Sequence, residues 1–75
     1  MQEQWRDRIV RDSHVLHGKP CFRETRIPVA LVLGYLAWGK TTSEVIEQFP
    51  DLKLADIAAA LEYARDLADF ETVTF

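Results

Sequence analysis

The chain has 75 residues, one cysteine and a net charge of −3, which describes a single small domain with no internal disulfide. A chain this short buries only about 60% of the surface its unfolded form exposes, so its core is marginal unless another chain adds to it. The lone thiol of Cys21 fits a reducing cytoplasm, no basic-then-apolar leader opens the sequence, and the longest apolar run, Ile27 to Trp38, is too short to span a bilayer. The expectation is a cytoplasmic protein without membrane association, stabilised by oligomerisation.

Charge is unevenly spread. Residues 1–26 carry six basic side chains and four acidic ones, whereas residues 27–75 carry three basic and eight acidic. A basic leading segment on an acidic body suggests two different partner surfaces.

In chain order, residues 8–17 and 20–23 read as two short extended pieces joined at Gly18-Lys19, a β-hairpin spanning 8–23. Ile9, Val10 and Val15 favour strands, and His17-Gly18-Lys19-Pro20 is a turn cluster. Pro28 suits the first turn of a helix expected over 28–38 and ended by Gly39. Its apolar residues form two stripes. Val29, Val32, Leu33 and Leu36 mark one face; Leu31, Tyr35 and Trp38 mark the other. A helix apolar on both sides must be covered on both sides, so Leu31, Tyr35 and Trp38 are expected at a dimer or partner interface. Thr41-Thr42-Ser43-Glu44 has capping-box form and starts a short helix to about Phe49, with Val45, Ile46 and Phe49 inward. Pro50 to Lys53 form a turn, and a longer helix runs from Leu54 to about Ala68. Its expected buried stripe is Leu54, Ile57, Ala58, Leu61 and Ala64, and its expected outer face is Ala55, Asp56, Ala59, Glu62, Asp66 and Asp69. The tail, 69–75, reverts to strand-like alternation, and Phe70, Val73 and Phe75 join the expected interface residues. Trp5 and these tail aromatics either anchor a partner or close the core of their own chain. The fold class is therefore α+β and mainly helical: a leading hairpin, then a three-helix, helix-turn-helix-like core over 28–68, all one domain.

The order Gly18-Lys19-Pro20, Thr25-Arg26-Ile27-Pro28-Val29, Gly39 with a cap after it, Phe49-Pro50, Asp56-Ile57 and Ala60-Leu61-Glu62-Tyr63-Ala64 resembles the DUF433 family, small bacterial proteins usually read as VapB-type antitoxins. Two positions depart from that pattern: Glu24 stands where the family usually has glycine, and Lys53 where a Ser or Thr cap is common. The resemblance implies a trihelical, helix-turn-helix-like protein that binds a PIN-like ribonuclease toxin encoded beside it, with the operator of its own genes as a second target.

Lys19, Arg23 and Arg26 surround one turn and are the candidates for nucleic-acid contact. Arg26 has a competing role as an internal strut, paired with Glu24 or a helix-end carbonyl. The last helix, with its expected acidic outer face, is a poor reader of DNA; a dimer's basic hairpin is the better candidate, and an acidic face could instead imitate nucleic acid against a toxin. His14, His17 and Cys21 are too few for a structural zinc site, and no nucleophile–base pair or carboxylate pair converges. No metal, cofactor or catalytic residue is expected. The function expected is that of an antitoxin, homodimeric and not an enzyme, with a toxin-independent DNA-binding regulator as the alternative.

Overall fold

A computed structural model describes residues 5–70, the side chain of Phe70 excepted. A 3-10 turn at Trp5–Asp7 leads into β1 (Ile9–Val10), which pairs antiparallel with β2 (Cys21–Phe22), Ile9 opposite Phe22 and Val10 opposite Cys21. Three helices follow: α1 (Val29–Ala37), α2 (Thr42–Gln48) and α3 (Leu54–Phe70). The architecture is α+β, a two-stranded sheet and then three helices.

The hairpin is shorter than the β-branched residues suggest. Beyond Val10 the chain makes a tight turn closed by an isolated Asp12–Val15 bridge, with the Asp12 carboxylate accepting from the His14 amide at 2.8 Å. Leu16, His17 and Gly18 then take successive left-handed conformations, with φ of 50°, 58° and 82°. Such a turn cannot continue a ladder. His17 is exposed in this turn, while Cys21 on β2 is buried.

β2 is held on both sides. Phe22 N–H donates to the Ile27 carbonyl at 3.1 Å, and Val29 N–H donates to the Pro20 carbonyl at 3.0 Å. Pro20, which has no N–H, thus serves as an acceptor. The reversal between these contacts turns on Thr25, whose hydroxyl donates to the Phe22 carbonyl at 2.8 Å and accepts from Ile27 N–H at 3.0 Å. Glu24 sits in this reversal at φ 63°, the left-handed region that favours glycine.

Pro28 is the N-cap of α1. The helix ends in a Schellman arrangement around Gly39, φ 96°, with Gly39 N–H donating to the Leu36 carbonyl and Lys40 N–H to the Tyr35 carbonyl. The expected capping box opens α2: Glu44 N–H donates to Thr41 Oγ1 at 3.1 Å, and Thr41 N–H to Glu44 Oε1 at 2.8 Å. The Thr41 amide is the main reason the Glu44 carboxyl lies below its ordinary pKa. At α3, Lys53 N–H donates to Asp56 Oδ2 at 2.9 Å, half of a capping box that lacks a side-chain acceptor at Lys53.

Phe22, Val29, Val32, Val45, Ile57 and Ala60 are buried in the core, and Leu33, Leu36, Ile46 and Phe49 pack against it. The orientation of α3 corrects the sequence expectation. Its buried residues are Ile57, Ala59, Ala60 and Tyr63, whereas Leu54 and Leu61 are 64% and 51% exposed and Ala58 is exposed as well. The cause is the N-terminal turn. Trp5 packs edge-to-face on Tyr63 with ring centroids 4.8 Å apart and donates from Nε1 to Asp66 Oδ2 at 2.7 Å. Arg11 donates to the Tyr63 hydroxyl at 3.1 Å, and Arg8 pairs with Asp56 at 3.3 Å. Asp56, Ala59 and Asp66, expected outside, therefore lie under this turn. Trp5 closes the core of its own chain. Asp69 and Phe70 extend α3 and are not strand; Val73 and Phe75 lie outside the described residues.

Two outcomes follow. Glu24→Gly removes a left-handed penalty of about 1–2 kcal/mol against about 0.4–1 kcal/mol of added unfolded-chain freedom, so thermal melts are expected to show a Tm a few degrees higher, while Glu24→Val lowers it. The Trp5 hydrogen bond first, and Arg65 second, hold the Asp66 carboxyl below its ordinary value of 3.8. A carboxyl depressed in the folded state stabilises it above the unfolded-state pKa, and that stability is lost as pH falls through the folded value. Asp66→Asn is expected to lower Tm at neutral pH, with the gap to the unsubstituted protein closing below pH 3.8; melts across the acid range check it.

Candidate functional site

No charged residue occurs from Ile27 to Gly39, and α1 carries the consequence on its surface. Val29 and Val32 face the core, while Ala30, Leu31, Gly34, Ala37 and Trp38 are exposed. Trp38 is 81% exposed and Leu31 44%. The solvent face of a surface helix is normally polar; this one carries no polar side chain. Ala30, Leu31, Gly34, Tyr35 and Trp38 line a cleft of about 260 Å³ on it. Tyr35 differs from the other two expected interface residues. It is half-buried, packed on Phe49 with ring centroids 5.7 Å apart, and it braces Trp38 edge-to-face at 6.3 Å. Leu31 and Trp38 thus form the face, and Tyr35 is its buttress.

Gly34 makes the cleft. A Cβ placed there would meet nothing within 4 Å, so no packing among the described residues requires glycine, although glycine in a helix interior costs about 1 kcal/mol relative to alanine. The two-stripe pattern located Leu31 and Trp38; the hollow between them was legible only as the small residues Ala30 and Gly34, which have no hydrophobic signal of their own.

The three basic candidates do not form one patch. Arg23 is the strut: its Nε donates to the Asp7 carbonyl at 2.8 Å and its Nη2 to the Arg6 carbonyl at 3.4 Å, fastening the N-terminal turn to the β2 reversal. Arg26, for which that role was considered, is exposed, and its side chain bonds no other described residue. It lines a cleft of about 490 Å³ with Val10, Asp12, Val15, Cys21, Glu24 and Thr25. Arg23 lines a separate, smaller cleft with Asp7, Arg8, Asp51, Lys53 and Asp56, and Glu24 borders both. Lys19 is exposed. Two carboxylates, Asp12 and Glu24, thus stand in the cleft that Arg26 faces, and they weaken its field for phosphate.

The acidic outer face expected of α3 is also revised. Asp56, with its side chain 14% exposed, pairs with Arg8, and Asp66 accepts from Trp5 and Arg65. Part of the charge asymmetry between the two halves is therefore spent inside the molecule. Among the described residues no three His, Cys, Asp or Glu side chains come together as a metal site, and no helix is long and apolar enough to cross a membrane.

Comparison with known proteins agrees with the fold. A crystal structure of a DUF433 member from Anabaena variabilis superposes with a TM-score of 0.75 and 30% sequence identity over 81% of this chain. The match covers 60% of that protein's chain, so the present chain spans less than two thirds of its relative. A search of curated proteins finds no match. The family model described as "Protein of unknown function (DUF433)" matches residues 9–64, which takes in both strands, α1, α2 and most of α3, and the chain belongs to that family.

Proposed function

We propose that this chain is the antitoxin of a type II toxin–antitoxin pair, a non-enzymatic protein that binds a PIN-like ribonuclease toxin through the outer face of α1. The observation that supports a binding role is the charge-free face around Gly34: an exposed tryptophan, an exposed leucine and a glycine-floored hollow that no described residue fills. Large aromatics beside small-residue hollows are the usual anchors of protein interfaces, and a helix presenting them docks into an apolar groove. The nature of the partner rests on the family resemblance. In this reading Trp38 and Leu31 enter the toxin, a toxin side chain fills the hollow over Gly34, and the bound domain occludes the toxin's RNA-binding cleft. Imitation of nucleic acid by α3 plays no part, because Asp56 and Asp66 are engaged within the chain.

Co-expression with the neighbouring open reading frame tests this. The toxin is expected to co-purify with the unsubstituted chain and to be lost with Trp38→Arg, while circular dichroism of that variant stays unchanged because Trp38 is a surface residue. Gly34→Ala separates binding from folding: it should stabilise the chain by about 1 kcal/mol yet weaken capture at least tenfold by closing the hollow. Capture indifferent to both substitutions, or no complex at all, sinks the reading.

Operator binding is the second reading, favoured by Lys19 and Arg26 being exposed near the hairpin with side chains that bond no described residue. It predicts a salt-sensitive shift of the chain's own promoter fragment that weakens with Lys19→Ala and Arg26→Ala. No retardation at low salt removes it.

A further inference from the structure

The two strands have a second side. Ile9 pairs with Phe22 and both belong to the core, so alternation turns the other pair, Val10 and Cys21, away from it. Cys21 is buried all the same, outside the core cluster. With Val10 and Val15 it gives an apolar floor to the cleft of about 490 Å³, which is within the size range of small-molecule sites. Asp12, Glu24 and Arg26 stand around that floor, and none of the three makes an ion pair with a described residue. Glu24 is brought there by a φ of 63°, a conformation that strains a glutamate and would not strain a glycine. We propose that this cleft binds a free basic amino acid, of which lysine is the simplest case.

The class of ligand follows from the number and placement of the charges. Two carboxylates and one guanidinium leave the cleft net negative, and they complement a molecule with two cationic groups, one carboxylate and an apolar stem. A phosphate lacks the cations, a diamine has no carboxylate for Arg26, and an amino acid with a neutral side chain leaves one acid unmatched. With Val10 opposite Cys21 and Ile9 opposite Phe22, Asp12 follows one end of the short ladder while Glu24 and Arg26 follow the other. Two residues of strand are about 7 Å long, close to the roughly 6 Å from Cα to Nζ of an extended lysine at standard bond lengths. The α-ammonium and α-carboxylate therefore meet Glu24 and Arg26, the carboxylate as a two-bond partner of the guanidinium. The methylenes cross Val10 and Val15, and the ε-ammonium meets Asp12, whose Oδ1 already accepts from the His14 amide. Exposed ion pairs are individually weak, so a ligand of this size is expected to bind at about 1 mM.

The test is a nuclear magnetic resonance titration of the full ¹⁵N-labelled chain with L-lysine up to about 20 mM, well above a millimolar dissociation constant. Saturable amide shifts are expected at residues 10–15 and 21–26 and not around Gly34. Norleucine lacks the ε-ammonium, cadaverine lacks the carboxylate and Nα-acetyl-lysine lacks the α-ammonium. Each should bind at least threefold more weakly than lysine. Each of three variants should then abolish one of these preferences and keep the other two: Asp12→Asn that over norleucine, Arg26→Gln that over cadaverine, and Glu24→Gly that over Nα-acetyl-lysine. Glu24→Gly carries a further mark, because it should raise Tm while weakening lysine, so that lost folding cannot explain lost binding. The proposal is overturned by the absence of saturable shifts, by shifts centred elsewhere, by cadaverine binding as tightly as lysine, or by preferences that the matching variants leave intact.

Discussion

The N-terminal turn clamps α3, and that clamp decides which side of the longest helix is inside. Taken alone, α3 offers two candidate faces: the leucine stripe of Leu54, Ala58 and Leu61, and the face of Ala59, Ala60 and Tyr63. Two aromatic rings settle the choice, since Trp5 and Tyr63 each bring about 150–250 Å² of surface to bury and gain further from their edge-to-face contact. Trp5 also needs a partner for its indole N–H, and the second face supplies one at Asp66. With that side fixed, Ala60 is buried in the core against α1, Asp56 comes under Arg8, and the leucines are left outside. A change at Trp5 is therefore felt at the far surface of the molecule.

The same clamp changes the meaning of the charge distribution. Six basic residues in the leading segment and eight acidic ones in the body look, as a list, like two surfaces for two partners. In the fold Arg8 meets Asp56, Arg23 ties down two backbone carbonyls, Arg11 holds the Tyr63 hydroxyl and Asp66 takes the Trp5 donor. Part of the asymmetry is attraction within the chain, between Arg8 and Asp56, and it helps hold the leading segment on α3. Outside those contacts, Lys19 and Arg26 stay exposed beside the hairpin, and the outer face of α1 and the exposed Leu54, Ala58 and Leu61 of α3 carry no charge.

Local rules carried well into the structure where they concern backbone groups close in sequence. Gly39 and the Thr41–Glu44 box close and open their helices as their residue types require. The two stripes of α1 were also legible, because Val29 and Val32 reach the core while Leu31 and Trp38 do not. Sequence reasoning failed where the decision belonged to a contact far along the chain. Periodicity marks the Leu54, Ala58, Leu61 stripe as apolar but cannot say that a tryptophan 61 residues before Asp66 will claim the opposite side. The strut was misplaced for a similar reason: Arg23 and Arg26 are equivalent as letters, and only the reversal at Glu24 sends Arg23 toward Asp7. The turn itself was legible at Gly18, but its left-handed start at Leu16 was not, since leucine rarely takes a positive φ.

The two uncovered faces differ in what they can specify by themselves. The α1 face has no polar side chain, so nothing on it fixes the axial register of an arriving helix or sheet; a single protruding indole beside a shallow hollow takes its register from a partner with a matching groove. The exposed α3 stripe differs: Arg65, 3.0 Å from its neighbour Asp66, sets a charge beside Leu61, whereas the α1 face is selective only through its partner's shape. A small domain with a marginal core can hold both, because Leu54, Leu61, Leu31 and Trp38 lie outside its buried core. Substitutions on either face should therefore separate binding from stability, which residues inside the Trp5–Tyr63 clamp cannot do.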